Sequence, residues 1–489
     1  MSDDFFTKLE GLLSSQDAAY SDAASFVASL GIPSASVAIL DNGSISAHTF
    51  STVGDGTDTL FQACSISKPM AGLATMKLIE EGKLQLDDTL PHLVEPDVWA
   101  ILSQGAGPEK LALLETVTLT QLLSHTAGFS IHGFQGYVPG ATLPTVREIL
   151  IGRSPANTRP IELTGLPGFC HSYSGGGFTV LQLVLEKAAQ LPFPKLMQKL
   201  VLDPLGMTRS FYALQPEEKD YASAYFTGYT PADVPAVNIP EQAAAGLWTT
   251  PSDLLKAVHA VQLSLSAGEG EITYLRREIA QQMLTEVDGG YGLSWRAPRD
   301  KGDGFGHSGQ NWPGWICFAF GYADLKSFLG DAPEGADPLL TGCGISIMTN
   351  SCEGAEGAMK IVEAIGYLKG WPNHPQITAA RWVPLQAVGT ETPTDWKEWT
   401  GTWVDDDKRV FTVAHNSAGQ PTFLFAKLPP LRLVPAAIVP EVYSGKGSSI
   451  DLRIPALEMM IRLGWNGEAR IVQVWYGGNL SVTDLKKAD

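Results

Sequence analysis

The chain has little of what marks several large protein classes. It holds only five cysteines: Cys64, Cys170, Cys317, Cys343 and Cys352. An odd number leaves at least one unpaired within the chain, and no CxxC or Cys/His spacing suggests a zinc site. Reduced thiols inside a cell are the simplest reading, with a Cys343–Cys352 pair left open. Basic residues are also scarce, at 34 Lys and Arg against 52 Asp and Glu, for a net charge of −18. That balance argues against nucleic acid or an anionic membrane as partner, since both demand basic surface. No window approaches the roughly 18 consecutive apolar residues that span a bilayer. The stretch from Met1 to Gly11 carries acidic residues and no long apolar run, unlike a signal peptide. A cytoplasmic protein is expected, with no nucleic-acid and no membrane partner.

What is present is ample core material, 44% hydrophobic in 489 residues, enough for one large and one small domain. Residues 3–30 read as a helical opening with Phe5, Phe6, Leu9, Leu12 and Leu13 on one face. Ala35 to Leu40 and Ser44 to Phe50 read as strands joined at Asp41-Asn42-Gly43, a hairpin signal. The segment from Asp87 to about Leu200 reads as mostly helical, with Val117 to Leu123 and Thr179 to Ala189 as two of its helices. Residues 214–245 read as irregular structure rimming a cleft. Thr250-Pro251-Ser252-Asp253 looks like a capped start for a helix over Leu254 to Ser266. Trp315 to Tyr322 and Gly344 to Asn350 read as strands, and Glu356 to Tyr367 as a closing helix. This order suggests a sheet whose first and last parts come together.

Composition shifts at Gly370 to Pro393. Beyond it lie seven or eight short strand signals, among them Gly401 to Trp403, Val410 to Ala414, Thr422 to Phe425, Leu431 to Val434, Ser449 to Ile454, Met459 to Leu463 and Ile471 to Trp475. Their spacing predicts a small antiparallel barrel. Trp396, Trp399 and Trp403 are expected in its core or as end plugs.

Three polar clusters carry chemistry. Ser65-Ile66-Ser67-Lys68 places a hydroxyl and an amine three residues apart, on one side of a helical turn. A serine hydroxyl needs a base to become a nucleophile, and a lysine with a lowered pKa can serve. Ser65 at a helix start would also offer its unsatisfied backbone N–H to a developing oxyanion. A lone SxxK match is weak, since a helix cap with a solvent-facing lysine looks the same. Here Phe61 to Cys64 and then Met70, Leu73, Ala74 and Leu78 put the pair at the edge of a packed core. Tyr173, in His171-Ser172-Tyr173-Ser174-Gly175-Gly176-Gly177, supplies a phenol able to relay a proton, and its glycines predict a tight turn before a helix. His307-Ser308-Gly309 precedes an apolar strand, where an imidazole could meet substrate and Gly309 would let substrate lie close. Aromatic residues Phe129, Phe134, Tyr137, Trp248 and Trp312 suggest a fairly apolar cleft.

These clusters resemble the serine beta-lactamase and penicillin-binding-protein superfamily. The likeness is greatest to class C beta-lactamases and to related esterases, D-amino-acid amidases, peptidases and acyltransferases. It covers roughly residues 12–368. Leu122-Leu123-Ser124-His125-Thr126-Ala127-Gly128 looks like the family's LLxHTSG segment. Leu86-Asp87-Asp88, Leu205-Gly206-Met207, Gly246-Leu247-Trp248-Thr249-Thr250 and Tyr291-Gly292-Leu293-Ser294-Trp295 match four others. The resemblance implies an α/β fold: a beta-lactamase/transpeptidase-like domain over 1–375, with an antiparallel sheet flanked by helices plus a helical subdomain. A C-terminal antiparallel, lipocalin-like β-barrel domain would occupy 376–489.

By the same resemblance Ser65 is the acylated nucleophile, Lys68 and Tyr173 are the general acid/base pair, and His307 opens the third motif. The oxyanion donors would be the N–H groups of Ser65 and Asn311. Gly309, Trp312, Gly175 and His125 would border substrate. Two departures matter. The usual Tyr-x-Asn is Tyr173-Ser174-Gly175, and the usual Lys of KTG is His307. Both weaken an antibiotic-resistance reading and favour an esterase, amidase or peptidase-like hydrolase, or an acyltransferase. A non-catalytic ligand-binding relative is the rival from another class. The expected partner is a small-molecule ester, amide or short peptide. No metal or organic cofactor is required, and homo-oligomerisation stays open.

Overall fold

A computed structural model describes residues 2–14, 21–214, 220–226, 231–297, 304–323, 342–369, 371, 395–406, 408–426, 430–435, 450–454, 459–466, 469–476 and 481–488. The expected 375/376 boundary and most of the Gly370 to Pro393 composition shift lie outside these residues, as do 15–20, 215–219, 227–230 and Ser449.

The central sheet has five antiparallel strands: β1 (Ser34–Asp41), β2 (Ser44–Ser51), β6 (Gly304–Asn311), β7 (Trp315–Tyr322) and β8 (Gly344–Thr349), in the order β2-β1-β8-β7-β6. The first and last parts of this region do therefore join, through the β1–β8 pairing of Val37 with Ile347. Alternation along each strand divides the side chains between two cores. Val37, Ile39, Ile316, Phe318, Phe320, Ile345 and Ile347 face one cluster with Phe6, Leu9, Ile361 and Ile365. Those last four come from the helices Ser2–Ser14 and Gly354–Lys369. The smaller Ala38, Cys317 and Ala319 face the other cluster, with Leu254, Leu255 and Val258 of helix Pro251–Ser266. Thr250 caps that helix by accepting from the Asp253 N–H, and Pro251 fills its first turn, where a missing N–H costs nothing. The opening segment is two helices, Ser2–Ser14 and Ala23–Ser29, the second capped by Asp22.

Between β2 and β6 the chain builds the helical body. Helix Ser67–Glu80 runs through its middle and is buried over Ser67 to Met76 and at Leu78. A helix buried on all sides needs no polar stripe, so its apolar pattern looks unbroken rather than periodic. At Gly72 it passes so close to Ser294 that a Cβ would lie 1.8 Å from the hydroxyl oxygen. A second sheet, in the order β3 (Phe61–Gln62), β5 (Leu247–Thr249), β4 (Phe211–Tyr212), ties the chain entering this helix to residues 240–250.

The remaining strands form one curled antiparallel sheet, a half-barrel. They are β9 (Gly401–Val404), β10 (Val410–His415), β11 (Pro421–Phe425), β12 (Leu431–Arg432), β13 (Val434–Pro435), β14 (Ile450–Ile454), β15 (Met459–Asn466), β16 (Ala469–Tyr476) and β17 (Ser481–Lys487). The order is β12-β11-β10-β9-β17-β16-β15-β14-β13. Its two edge strands are separated in the chain by Leu433 alone. Trp396, Trp399 and Trp403 are buried, with the Trp403 indole N–H donating to Trp399 O, so they are core residues.

Candidate active site

Ser65 sits in a single tight turn, Cys64–Ile66, that leads directly into helix Ser67–Glu80. The turn enters through Cys64 at φ 52°, a left-handed conformation unusual for a residue with a Cβ. The Ser67 hydroxyl locks it, donating to Cys64 O at 2.7 Å and accepting from the Leu247 N–H at 3.0 Å. Lys68 is 1% exposed. Its Nζ donates to Ser65 Oγ at 3.1 Å and to Ala244 O at 2.8 Å. It also lies over the rings of Tyr173 and Phe178, 4.9 and 5.7 Å from their centroids. Burial pulls the Lys68 amine down to about 7. The Ala244 carbonyl comes from helix Gln242–Ala245, which leads into β5.

Tyr173 closes the site. Its phenol meets the Ser65 hydroxyl, and burial, with Tyr291 nearby, pushes its pKa well above the usual phenol range. The segment that carries it has no regular secondary structure. Ser174 follows as the cap of helix Gly175–Ala189, accepting from the Gly177 N–H at 2.8 Å and donating to Ser130 O at 3.1 Å. The three glycines are the first turn of that helix, not a turn before it. The first two are needed because the chain of residues 130–132 crosses there. A Cβ on Gly176 would stand 2.3 Å from Ser130 O, and one on Gly175 2.9 Å from His132 O.

His307, Ser308 and Gly309 lie inside the edge strand β6, ahead of the apolar strand β7 as expected. His307 is 2% exposed, and burial with the nearby Lys68 charge brings it down to about 3. Its Nδ1 lies 2.5 Å from Ser308 O. A carbonyl only accepts, so Nδ1 carries the proton and Nε2 is a lone-pair acceptor without a partner. His307 is therefore a neutral imidazole, not a cationic anchor. Gly309 presses on the nucleophile turn, where a Cβ would meet Cys64 Cβ at 2.6 Å and Ser65 N at 2.8 Å.

The other expected site residues are placed as follows. Asn311 is 4% exposed, its side chain donating to Gln62 Oε1 at 2.9 Å and Ala245 O at 3.3 Å. Its backbone N–H faces the Cys64 sulfur. Gly175 contributes backbone, its N–H donating to His132 O. His125 packs against Tyr173 at 4.2 Å between ring centroids, and its Nδ1 accepts from the Ser174 N–H. It supports Tyr173 from the protein side and does not border the cleft. Trp312 is 45% exposed, beside Phe226, whereas Phe129, Tyr137 and Trp248 are buried. The apolar cleft is thus narrower than the aromatic count suggested, with Phe134 and Trp312 its partly open members. Three neighbours escaped sequence reasoning: His132, His171 and Tyr291, whose rings lie 4.8 Å from Tyr173, 4.7 Å from Tyr291 and 6.2 Å from Tyr173 respectively. The signal was present, since His171 adjoins Tyr173 and Tyr291 opens a motif already noted.

None of the five cysteines is joined in a disulfide. Burial, with Cys317 alongside, pushes the Cys64 thiol well above its ordinary value, which leaves it a packed neighbour of Ser65 and not a competitor. Among the described residues no group of three or more His, Cys, Asp or Glu is arranged to hold a metal. Among them also, no helix is long and apolar enough to cross a membrane.

A serine and a buried lysine on one turn, a phenol from a second segment and an antiparallel edge strand define a serine-centred acyl-transfer layout. The chain belongs to the beta-lactamase family, whose family model matches residues 21–364. It is 28% identical over 238 residues to Protein Rv1367c of Mycobacterium tuberculosis, covering 45% of this chain and 56% of that protein. It is 29% identical over 181 residues to Esterase EstB of Burkholderia gladioli, covering 35% and 43%. It is 23% identical over 201 residues to the D-alanyl-D-alanine-carboxypeptidase/endopeptidase AmpH of Escherichia coli, covering 41% and 48%. The chain thus spans about half the length of the curated relatives it matches. Among solved structures, SurE aligns over 95% of this chain and 98% of its own, with 19% identity and a TM-score of 0.52. The octameric penicillin-binding protein homologue from Pyrococcus abyssi covers 94% and 97%, with 19% identity and a TM-score of 0.52. These likenesses show the fold, the C-terminal sheet included.

Proposed function

We propose that the chain is a serine hydrolase that cleaves an ester or amide through an acyl-enzyme on Ser65. The observation that carries this reading is Lys68. It is buried, 3.1 Å from Ser65 Oγ, and lowered to about 7, so a large fraction is an uncharged base at neutral pH. Tyr173 stays protonated, as its raised pKa requires, and can hand a proton onward.

In the proposed course Lys68 takes the Ser65 proton while Oγ attacks the carbonyl carbon. The oxyanion is held by the Ser65 N–H and a second donor from β6. With the Asn311 N–H turned to Cys64, that donor is the N–H of Gln310, which strand alternation turns the opposite way. Tyr173 donates to the departing oxygen or nitrogen and is reprotonated from Lys68. Water then attacks the acyl carbon and gives a proton to the same pair, which returns one to Ser65 Oγ as the acyl–Oγ bond breaks and the acid leaves. The neutral His307 Nε2 is available to accept from a substrate N–H or O–H. A lysine would instead seek a substrate carboxylate, so an ordinary ester or amide fits better than a beta-lactam. The domain division at 375/376 and a lipocalin-like character for the C-terminal sheet belong to the same proposal.

Ser65→Ala should abolish turnover of a p-nitrophenyl ester and of a D-amino-acid amide without lowering the melting temperature by more than a few degrees. Undiminished hydrolysis by that variant refutes the reading.

A further inference from the structure

We infer that Arg409 of the C-terminal sheet is a positioning residue for Tyr173, holding from behind the irregular strap that carries the proposed acid. The inference rests on the role proposed for Tyr173 above. Residues 169–173 belong to no helix or ladder, so nothing regular fixes where the phenol stands. Their contacts must do it.

Those contacts converge on Arg409. Its Nη1 donates to Phe169 O, and its guanidinium lies over the Phe169 ring, 5.5 Å from the centroid. The guanidinium is itself aimed by Asp405, which is 4% exposed and accepts from Arg409 Nε at 2.6 Å and from its backbone N–H at 2.9 Å. The same Nη1 lies 3.9 Å from an Asp288 carboxylate oxygen. The same Asp288 oxygen accepts from the His171 N–H at 2.6 Å. One cation therefore grips the strap at Phe169 directly and at His171 through a carboxylate. The Phe169 ring is fully buried and stands edge-on to Phe411 of β10 and Phe425 of β11, at 5.4 and 5.3 Å. It is an apolar peg from the catalytic body seated in the curled sheet.

The hold passes on toward the phenol. Ser172 N–H donates to His125 O at 2.7 Å, and the His125 ring stacks on Tyr173. Charge-assisted hydrogen bonds to a backbone carbonyl and a shared carboxylate fix orientation more firmly than neutral ones. Loss of the guanidinium releases Phe169 O and removes the charge that backs the Asp288 carboxylate on His171, and a misplacement of about 1 Å at a reacting group costs on the order of a hundredfold in rate.

The test uses the full chain and a pair of esters with the same acyl group, one with a p-nitrophenolate leaving group and one with a simple alkoxide. Only the alkoxide needs protonation as it leaves, so a misplaced acid penalises it selectively. A general loss of folded protein penalises both alike. Arg409→Met should lower kcat/KM, which reports the acylation step alone, about tenfold or more for the alkyl ester, with kcat/KM for the p-nitrophenyl ester changed less than threefold. Arg409→Lys, which retains the charge, should recover part of the loss, and Tyr173→Phe should show the same selectivity more strongly. Equal losses on both esters, or no loss, in the Arg409 variants while Tyr173→Phe remains selective overturns the inference and leaves the mechanism standing. A Tyr173→Phe variant without leaving-group selectivity overturns the role of Tyr173 itself, and the inference with it.

Discussion

At the scale of single residues, the proposed site rests on polar groups buried in the protonation state that the proposed chemistry requires. Lys68, lowered to about 7 by desolvation, is a base only above that value. The acid limb of kcat/KM should therefore bend near pH 7, with activity rising as the amine deprotonates and falling about tenfold per unit below it. An acid limb bending near pH 4 would instead point to a carboxylate or one of the depressed histidines. Gly309 tests the geometry in a different way. Its Cα faces the Ser65 backbone closely enough that any Cβ collides, so Gly309→Ala should cut acylation by at least a hundredfold. A labelling time course with an activated ester measures this, and a normal rate would show that β6 is free to withdraw. These residues were legible in sequence because catalysis leaves few substitutes: SxxK, a tyrosine before glycines, and a glycine after a histidine. Their supports were not. Ala244 enters through a carbonyl, which any residue would supply, and so leaves no mark in the sequence. Asn311 misled for a related reason, since only strand alternation shows which N–H faces the nucleophile.

At the scale of elements, caps and short sheets bring distant segments together. Helix Gly175–Ala189 begins where the Ser174 hydroxyl meets the Gly177 N–H, and that hydroxyl also ties the helix to Ser130 O. Ser174→Ala should lower stability by about 1–2 kcal/mol, the range for losing an N-cap, measurable as a shift in denaturant midpoint with an unchanged slope. A loss below a few tenths would mean that the glycine-rich turn holds without its cap. The hairpin at Asp41-Asn42-Gly43 and the capped helix after Thr250 follow from local rules and were readable. The helix over Thr179 to Ala189 was readable too, but its start at Gly175 was not, because three glycines disfavour helix on propensity. The crossing chain of residues 130–132 forces the first two there, a tertiary demand that no local pattern records. Helix Ser67–Glu80 was readable from the helical spacing of Met70, Leu73, Ala74 and Leu78, although burial on every side leaves that period weak.

At the scale of the whole molecule, a five-stranded sheet and a helical body frame the site, and the C-terminal sheet braces one of its segments. The peg at Phe169 makes that brace partly apolar. Phe411→Ala should destabilise by about 3–5 kcal/mol, as for other buried phenylalanines, and should weaken protection of residues 165–175 in hydrogen exchange more than that of helix Ser67–Glu80. Uniform loss of protection would show that the sheet acts on the fold and not on the strap. The closure of β1 onto β8 could be suspected from element order. The docking of the C-terminal sheet against Phe169 could not, because single long-range contacts such as Arg409 to Phe169 carry no sequence signal.

The most direct measurement is intact-mass analysis with peptide mapping after exposure to a fluorophosphonate, run on wild type and Ser65→Ala together. The account predicts one adduct on wild type, mapped to Ser65 and distinguished from the adjoining Cys64, and none on the variant. An adduct that persists in Ser65→Ala, or maps to another residue, would contradict it.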